Sequence, residues 1–185
     1  MTESRLDFVF KGEAVKFDET EFYMLFKSYQ PNGKGVDFLS QTEDTFIFLE
    51  VKNCTGYEKE NIWRTKKDNL RDGEESFDIE MAKKVEGTIA CLVGAGVSSD
   101  YEKSNELKPY YEGLNAPKIA RGKKNIQVIL FLEGEFGSKT RNKKMIMKRI
   151  KDSIQEKLKW LNCTVRVVDL DTYRKQLYRV HKIKD

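Results

Sequence analysis

Several residue types that support particular chemistries are scarce in this chain of 185 residues. The only histidine is His181, which excludes chemistries that need two histidines and disfavours a histidine general base. The three cysteines, Cys54, Cys91 and Cys163, lie far apart and form no CxxC pair, which argues against a zinc site or a disulfide framework. No glycine-rich phosphate-binding loop opens a helix, and nothing indicates a small-molecule cofactor.

Long apolar runs are also missing from the sequence. No stretch is long enough to cross a bilayer, and Met1-Thr2-Glu3-Ser4 lacks the basic-then-apolar pattern of a signal peptide. We therefore expect no membrane association and, by default, a reduced cytoplasmic location. The contents of 35% charged and 11% aromatic residues predict one folded domain over residues 1–185 rather than disorder. The formal net charge of +4 permits a polyanionic partner without requiring one.

The apolar pattern predicts a mixed α/β fold. Strands are predicted at residues 6–10, 13–17, 35–40, 45–52, 127–132 and 164–170. Helices are predicted between Asp18 and Pro31 and at residues 77–94, 140–161 and 172–180, with residues 55–75 and 97–124 as connections. This order indicates a mixed central β-sheet flanked by helices on both sides.

Three local signals refine that prediction. The first two strands flank Lys11-Gly12 and should form a short hairpin. Asp18 is the expected cap of the first helix. The helix that follows Ser76 should stop at Gly94-Ala95-Gly96, because paired glycines commonly end helices.

Three charged residues at the end of an apolar hairpin, Asp37, Glu50 and Lys52, are the strongest functional signal. A charge taken into an apolar interior is costly unless it is paired or coordinated. If the turn is centred on Thr42-Glu43, Asp37 pairs with Phe48 and lies diagonal to Glu50, on the same face as Lys52. The opposite face should then pack on a helix; it carries Val36, Phe38, Ile47, Leu49 and Val51.

Two carboxylates beside an ammonium group suit metal-dependent phosphodiester hydrolysis. Mg²⁺, or Mn²⁺, prefers oxygen ligands and keeps several waters, so Asp37 and Glu50 are the predicted metal ligands. Such an ion polarises the scissile phosphate and lowers the pKa of a bound water. Lys52 would orient that water or neutralise charge on the phosphorus oxygens. The alternative is a strand-end salt bridge between Glu50 and Lys52, which leaves Asp37 unexplained.

The pattern Asp37-x12-Glu50-x-Lys52 resembles the signature of the PD-(D/E)xK phosphodiesterases, the restriction-endonuclease-like superfamily that includes Holliday-junction resolvases. The predicted element order matches that family's core of helix, three strands, helix and strand (αβββαβ). A narrower resemblance to a little-characterised group of bacterial nuclease-like proteins is carried by Lys16-Phe17-Asp18-Glu19, Val36-Asp37-Phe38, Glu50-Val51-Lys52-Asn53 and Glu80-x-Ala82-x-Lys84-Val85. That group usually continues the lysine with Asp-Phe-Arg-Gly, where this chain has Asn53-Cys54-Thr55-Gly56.

The resemblance implies supporting residues around this site. Many superfamily members carry another acid on the first helix, for which Glu19 and Glu21 are the candidates; the alternative is a solvated first turn favoured by the helix dipole. Glu80, Lys84 and Thr88 form a polar stripe at i, i+4 and i+8 that could face the site. A surface ion pair would explain the first two of them equally well.

Cations beside aromatic rings are candidates for nucleic-acid contact. The candidates are Asn61, Trp63, Arg64, Lys66 and Lys67 in the connection after the hairpin, and Lys144 and Lys148 on a later helix. The alternatives are that Trp63 anchors its loop to the core, as a lone tryptophan commonly does, and that the two helical lysines belong to a solvated face, the default for such a run.

We therefore predict a Mg²⁺-dependent nuclease that hydrolyses phosphodiester bonds in DNA. One alternative is a catalytically degenerate module that binds nucleic acid or a protein partner. Another is an enzyme specific for RNA, mismatches or junctions. Many members of the superfamily cut two strands as dimers, which makes a homodimer an option, although no self-complementary patch is evident in the sequence.

Overall fold

Strands and helices of very different lengths follow one another along the chain. The structure is a computed structural model that describes residues 1–137 and 142–183. The strands are β1 (Thr2–Glu3), β2 (Leu6–Phe10), β3 (Glu13–Lys16), β4 (Phe38–Gln41), β5 (Thr45–Asn53), β6 (Leu70–Arg71), β7 (Glu74–Glu75), β8 (Asn125–Glu133), β9 (Cys163–Val168) and β10 (Tyr178–Lys182). The α-helices are α1 (Glu21–Tyr29), α2 (Glu58–Asn61), α3 (Phe77–Val97), α4 (Tyr101–Ser104), α5 (Lys108–Leu114), α6 (Pro117–Ala120) and α7 (Lys143–Lys157), with 3₁₀ turns at Phe17–Glu19 and Ile62–Thr65.

A five-stranded mixed sheet organises the molecule, in the order β3-β4-β5-β8-β9. The pairs β3–β4 and β4–β5 are antiparallel, whereas β5–β8 and β8–β9 are parallel. Strands β5 and β8 are buried along nearly their whole length, which explains their continuous apolar sequences. The predicted mixed α/β fold with a central sheet is confirmed. Strand β3 precedes α1 as predicted, so only β4 and β5 lie between α1 and α3 in the main sheet, where the αβββαβ core has three strands.

The two faces of this sheet are covered differently. Side chains from α1, α3, α5 and α7 form the main core against one face. Strands β2 and β10 cover the other face, where Phe8 and Tyr178 pack on Phe38 and Phe131. The prediction of helices on both sides is therefore wrong, and the apolar face of the hairpin packs on a second sheet rather than on a helix. Val36 belongs to the helical side, not to that face.

Two predictions near the chain ends are corrected by this second sheet. Residues 6–10 and 13–17 do not form a hairpin, because β2 pairs with β1 and β10 whereas β3 pairs with β4. Residues 172–180 are not a helix. Tyr178 and Val180 are buried while Arg179 and His181 are exposed, and this alternation is that of a strand.

Helix ends also differ from the predictions. Helix α3 continues through Gly94 and Gly96 to Val97. Gly96 lies against the ring of Tyr111, and a Cβ atom there would come within 2.2 Å of the ring. That glycine provides close helix packing rather than a stop. Helix α7 begins at Lys143 with Asn142 as its cap, and the predicted start at residue 140 lies outside the described residues.

The two predicted connections carry short regular elements. Residues 55–75 contain α2, a 3₁₀ turn and the small β6–β7 hairpin, and residues 97–124 contain α4, α5 and α6. None of the helices within residues 1–137 and 142–183 combines the length and apolarity needed to cross a membrane.

Candidate active site

The register of the β4–β5 hairpin brings the two predicted acids together. Phe38 pairs with Leu49, so continuing the ladder by one residue places Asp37 directly opposite Glu50. The predicted register is wrong by two residues, since it placed Asp37 opposite Phe48. A register shift of two residues leaves every side chain on the same face of the sheet. Asp37, Glu50 and Lys52 therefore still share the face that the helices cover.

Asp37 is fixed by the end of the sheet ladder. Its Oδ2 atom accepts a hydrogen bond of 2.7 Å from the backbone N–H of Val51. Its backbone carbonyl accepts another from the N–H of Phe17 at 2.8 Å. The residue is only 6% exposed, and burial raises the pKa of its carboxyl despite the opposing charge of Lys84. Asp37 is therefore a buried, positioned acid with one oxygen left to face the site.

Glu50 is the most deeply buried acid of the site, with 1% of its surface exposed. Its Oε1 atom lies 3.0 Å from Nζ of Lys52 and 2.6 Å from Nζ of Lys84. Within the described part of the chain, neither carboxylate oxygen accepts a hydrogen bond of regular geometry. Burial, followed by the nearby charge of Asp37, raises the pKa of Glu50 to about 7 in spite of the two lysines.

Lys52 lies between two carboxylates. Its Nζ atom is 3.0 Å from Oε1 of Glu80 on α3, the same distance as from Glu50. Burial acts to lower the pKa of Lys52, but the charges of Glu50 and Glu80 outweigh it and the pKa is raised. Lys52 is therefore protonated at neutral pH.

Arg64 holds the far side of Glu80. Its NH2 group donates to Oε2 of Glu80, and its Nε donates to the backbone carbonyl of Glu75 at 3.0 Å. The guanidinium also lies 4.6 Å from the centre of the Phe77 ring. Burial acts to raise the pKa of Glu80, but Lys52 and Arg64 lower it overall. Arg64, predicted as a nucleic-acid contact, is placed instead as an inward residue that orients the site.

Lys84 bridges the two acids of the hairpin. Its Nζ atom is 2.6 Å from Oε1 of Glu50 and 3.6 Å from Oδ1 of Asp37. One turn further along α3, the Thr88 hydroxyl accepts from the N–H of Val36 at 3.0 Å, which anchors the approach to Asp37. The polar stripe of α3 thus faces the sheet, as the spacing indicated, rather than the solvent.

The acid contributed by the segment before α1 is Asp18, not Glu19 or Glu21. Asp18 lines a cleft of about 330 Å³ together with Glu80 and Lys84, and its Oδ1 atom is buried without a hydrogen-bond partner among the described residues. Glu19 is exposed and pairs with Lys16 at 2.7 Å, and Glu21 is exposed in the first turn of α1.

The expected cap at Asp18 is also wrong, because the Thr20 hydroxyl accepts from the N–H of Tyr23 and caps α1. Thr20 directly precedes the apolar helical pattern, and threonine is a favoured cap. This signal in the sequence indicates Thr20 as the cap and leaves Asp18 as a candidate site residue.

The remaining nucleic-acid candidates divide by exposure. Lys66 is exposed directly after the 3₁₀ turn Ile62–Thr65 that carries Arg64, and Lys144 and Lys148 are exposed on α7. Asn61 and Trp63 are half-buried; Asn61 donates to the carbonyl of Tyr57, and the carbonyl of Trp63 accepts from Asn69. Lys67 is exposed and pairs with Glu156 of α7 at 2.7 Å.

The chemistry of the donor set fits a hard divalent cation. Two carboxylates lie side by side, Oε2 of Glu50 is buried without a hydrogen bond among the described residues, and the charge of Asp37 raises the cost of ionising Glu50, a cost that a cation between them would offset. Residues 1–137 and 142–183 contain no group of three or more His, Cys, Asp or Glu side chains that could hold a metal. Asp37 and Glu50 would thus supply two ligands, leaving the others to water or substrate.

The fold and this site define a mixed α/β protein with a buried pair of acids faced by two lysines. The chain belongs to the family described as "Family of unknown function (DUF6661)", whose model matches residues 20–182. No curated protein and no solved structure matches the chain. The site residues Asp37, Glu50, Lys52, Glu80 and Lys84 all lie within the matched range.

Proposed function

We propose that this protein is a Mg²⁺-dependent nuclease that hydrolyses phosphodiester bonds in DNA. The observation that carries the proposal is the pair of buried acids at the end of β4 and β5. Glu50 has almost no solvent contact, its Oε1 atom is ion-paired with Lys52 and Lys84, its Oε2 atom accepts no hydrogen bond in the described chain, and a second acid lies opposite. Two acids buried side by side are costly, and they would be expected to be replaced by apolar residues if they served only packing.

Each charged residue of the site has a role in this proposal. Asp37 and Glu50 would hold the metal, which when bound polarises the scissile phosphate and activates a water. Lys52 is protonated, so it stabilises negative charge on the phosphorus oxygens rather than removing a proton from water. Glu80 and Arg64 keep the Lys52 ammonium at the end of β5, and they act as positioning residues.

The finer fold assignment is part of the same proposal. The order α1-β4-β5-α3-β8 supports a restriction-endonuclease-like core, with the Asp37-x12-Glu50-x-Lys52 motif at its expected place beside the following helix. The position of β3 before α1 is a departure from the αβββαβ order. That strand still pairs with β4, so it occupies the sheet position of a third antiparallel strand although its place in the sequence is changed.

A panel of DNA substrates tests the proposal. Wild-type protein, Asp37→Asn and Glu50→Gln are incubated with linear duplex, single-stranded and branched DNA, with Mg²⁺, with Mn²⁺ or with EDTA. We expect cleavage of at least one substrate by the wild type, loss of cleavage with EDTA, and no cleavage by either variant. Lys83→Met is the matched control, because Lys83 is on the same helix but pairs with Glu75 outside the site. An inert, folded wild type on every substrate would overturn the proposal.

A binding module without catalysis is the second candidate. It is favoured by the two lysines that already neutralise Glu50, and by the lack of a third acid beside the pair in the described residues. In this case the wild type would bind DNA or RNA without cutting it. Replacing the exposed Lys144 and Lys148 by alanine would then weaken binding equally for all sequences and reduce its salt dependence, because such lysines contact phosphates.

A further inference from the structure

Lys84 lies in the place that a divalent cation would need. Its ammonium group is within 2.6 Å of Glu50 and 3.6 Å of Asp37, so it faces both of the proposed metal ligands at once. Two cations cannot share that position, since the charges would repel each other strongly in a site so far removed from water. A metal ion could therefore bind the acids only if the Lys84 ammonium moved away.

The cleft beside the site offers the ammonium a second anionic partner. Lys84 and Asp18 line the same cleft of about 330 Å³, and Oδ1 of Asp18 is buried without a hydrogen-bond partner among the described residues. A lysine has a flexible four-carbon stem, so its ammonium can change partners by rotamer changes without movement of α3. A buried, unpartnered carboxylate oxygen is otherwise costly, and this pairing would satisfy it.

We propose that Lys84 is an internal counter-ion that competes with a divalent cation for Asp37 and Glu50, and that its ammonium pairs with Asp18 when the cation binds. The inference rests on the proposed function for the identity of the ligands, but it concerns metal affinity rather than cleavage. Lys84 thereby weakens metal binding in the free protein. It also prevents the two acids from facing each other without a cation.

The first test is a titration with Mn²⁺ alone at about pH 8, above the Glu50 pKa of about 7, with free Mn²⁺ followed by electron paramagnetic resonance. Removing the competitor in Lys84→Met should lower the apparent Kd by about tenfold, within the range typical of coupled binding equilibria. Lys84→Arg keeps a cation and should bind Mn²⁺ as weakly as the wild type. Lys83→Met, the matched control, should leave the Kd unchanged, and Lys84→Gln replaces the methionine variant if the latter does not fold.

The second test examines Asp18 by a double-mutant cycle. If Asp18 receives the displaced ammonium, Asp18→Asn should raise the Kd for Mn²⁺ in the wild-type background and have no effect in the Lys84→Met background. A direct ligand would lose affinity in both backgrounds. That second result would overturn the assignment of Asp18 as the partner of Lys84.

The outcomes separate this inference from the nuclease proposal. Equal or weaker Mn²⁺ binding by folded Lys84→Met than by wild type overturns the competition. Tighter binding by Lys84→Met without cleavage by any variant supports the counter-ion role while the nuclease proposal fails. If neither wild type nor Lys84→Met binds Mn²⁺, both proposals fall.

Discussion

Replacing Glu50 by glutamine should stabilise the protein, and increasingly so as the pH rises. The Glu50 side chain is 1% exposed, and burial with the charge of Asp37 raises its pKa from 4.5 to about 7. In the unfolded chain the same carboxyl ionises near 4.5. Between these two values the folded protein binds a proton that the unfolded chain does not, so the free energy of unfolding falls as the pH increases.

The magnitude follows from the two pKa values. A difference of one pH unit corresponds to about 1.4 kcal/mol, so moving the pKa from 4.5 to about 7 is worth about 3 kcal/mol. This contribution is fully present below pH 4.5 and is lost as the pH rises through 7. Glutamine, like the protonated carboxyl, carries no charge, so the free energy of unfolding of the variant does not include this loss. The stability of Glu50→Gln minus that of wild type should thus increase by about 3 kcal/mol between about pH 4 and about pH 8.

Urea unfolding followed by the fluorescence of Trp63 and Trp160 measures this difference, since urea is uncharged and leaves electrostatic interactions unscreened. Glu156→Gln is the control. Lys67 lowers the pKa of this exposed acid, so its variant should lose stability relative to wild type as the pH rises. If Glu50→Gln were less stable than wild type at about pH 8, the contacts of Glu50 with its lysines would be a stabilising salt bridge. The burial of Glu50 would then not indicate a functional site.

Three further substitutions test the packing of α3 and the support of Glu80 by the same unfolding assay. Gly96→Ala should destabilise the protein by about 1–3 kcal/mol, because its Cβ would meet the Tyr111 ring, whereas Gly94→Ala makes only ordinary contacts and should be neutral or stabilising by up to about 1 kcal/mol. Equal effects of the two would contradict the packing assigned to Gly96. Arg64→Gln should cost about 1–3 kcal/mol, because Glu80 loses its guanidinium partner. Unchanged stability would mean that Arg64 does not hold Glu80.

The acid pair could be predicted from the sequence because it depends on parity rather than on register. The predicted turn misplaced Asp37 by two residues, yet a shift of two leaves every side chain on its original face. The spacing of Glu80 and Lys84 likewise placed both on one side of a helix, and that side faces the sheet. The periodicity of side chains along a strand or a helix is therefore sufficient to predict which residues share a face.

Features that depend on distant contacts could not be obtained in this way. Residues 178–182 form a strand only because β2, at the other end of the chain, provides its partner. Gly96 is predicted to end a helix because local sequence does not show what it packs against. The Tyr111 ring, which requires a small residue there, belongs to a later helix. Asp18 was assigned to a cap that Thr20 provides, so its place in the cleft was missed although the helix-start pattern contained the signal.

The central claim is that Asp37, Glu50 and Lys52 form a metal-dependent nuclease site. Its most direct test is the single-turnover rate of Mg²⁺-dependent cleavage of the best DNA substrate by wild type, Lys52→Met and the control Lys83→Met. We expect Lys52→Met to be slower by about 10²–10³-fold, the usual loss for one group that stabilises transition-state charge, and Lys83→Met to equal the wild type. Cleavage by Lys52→Met at the wild-type rate, or no cleavage by the folded wild type, would contradict the claim.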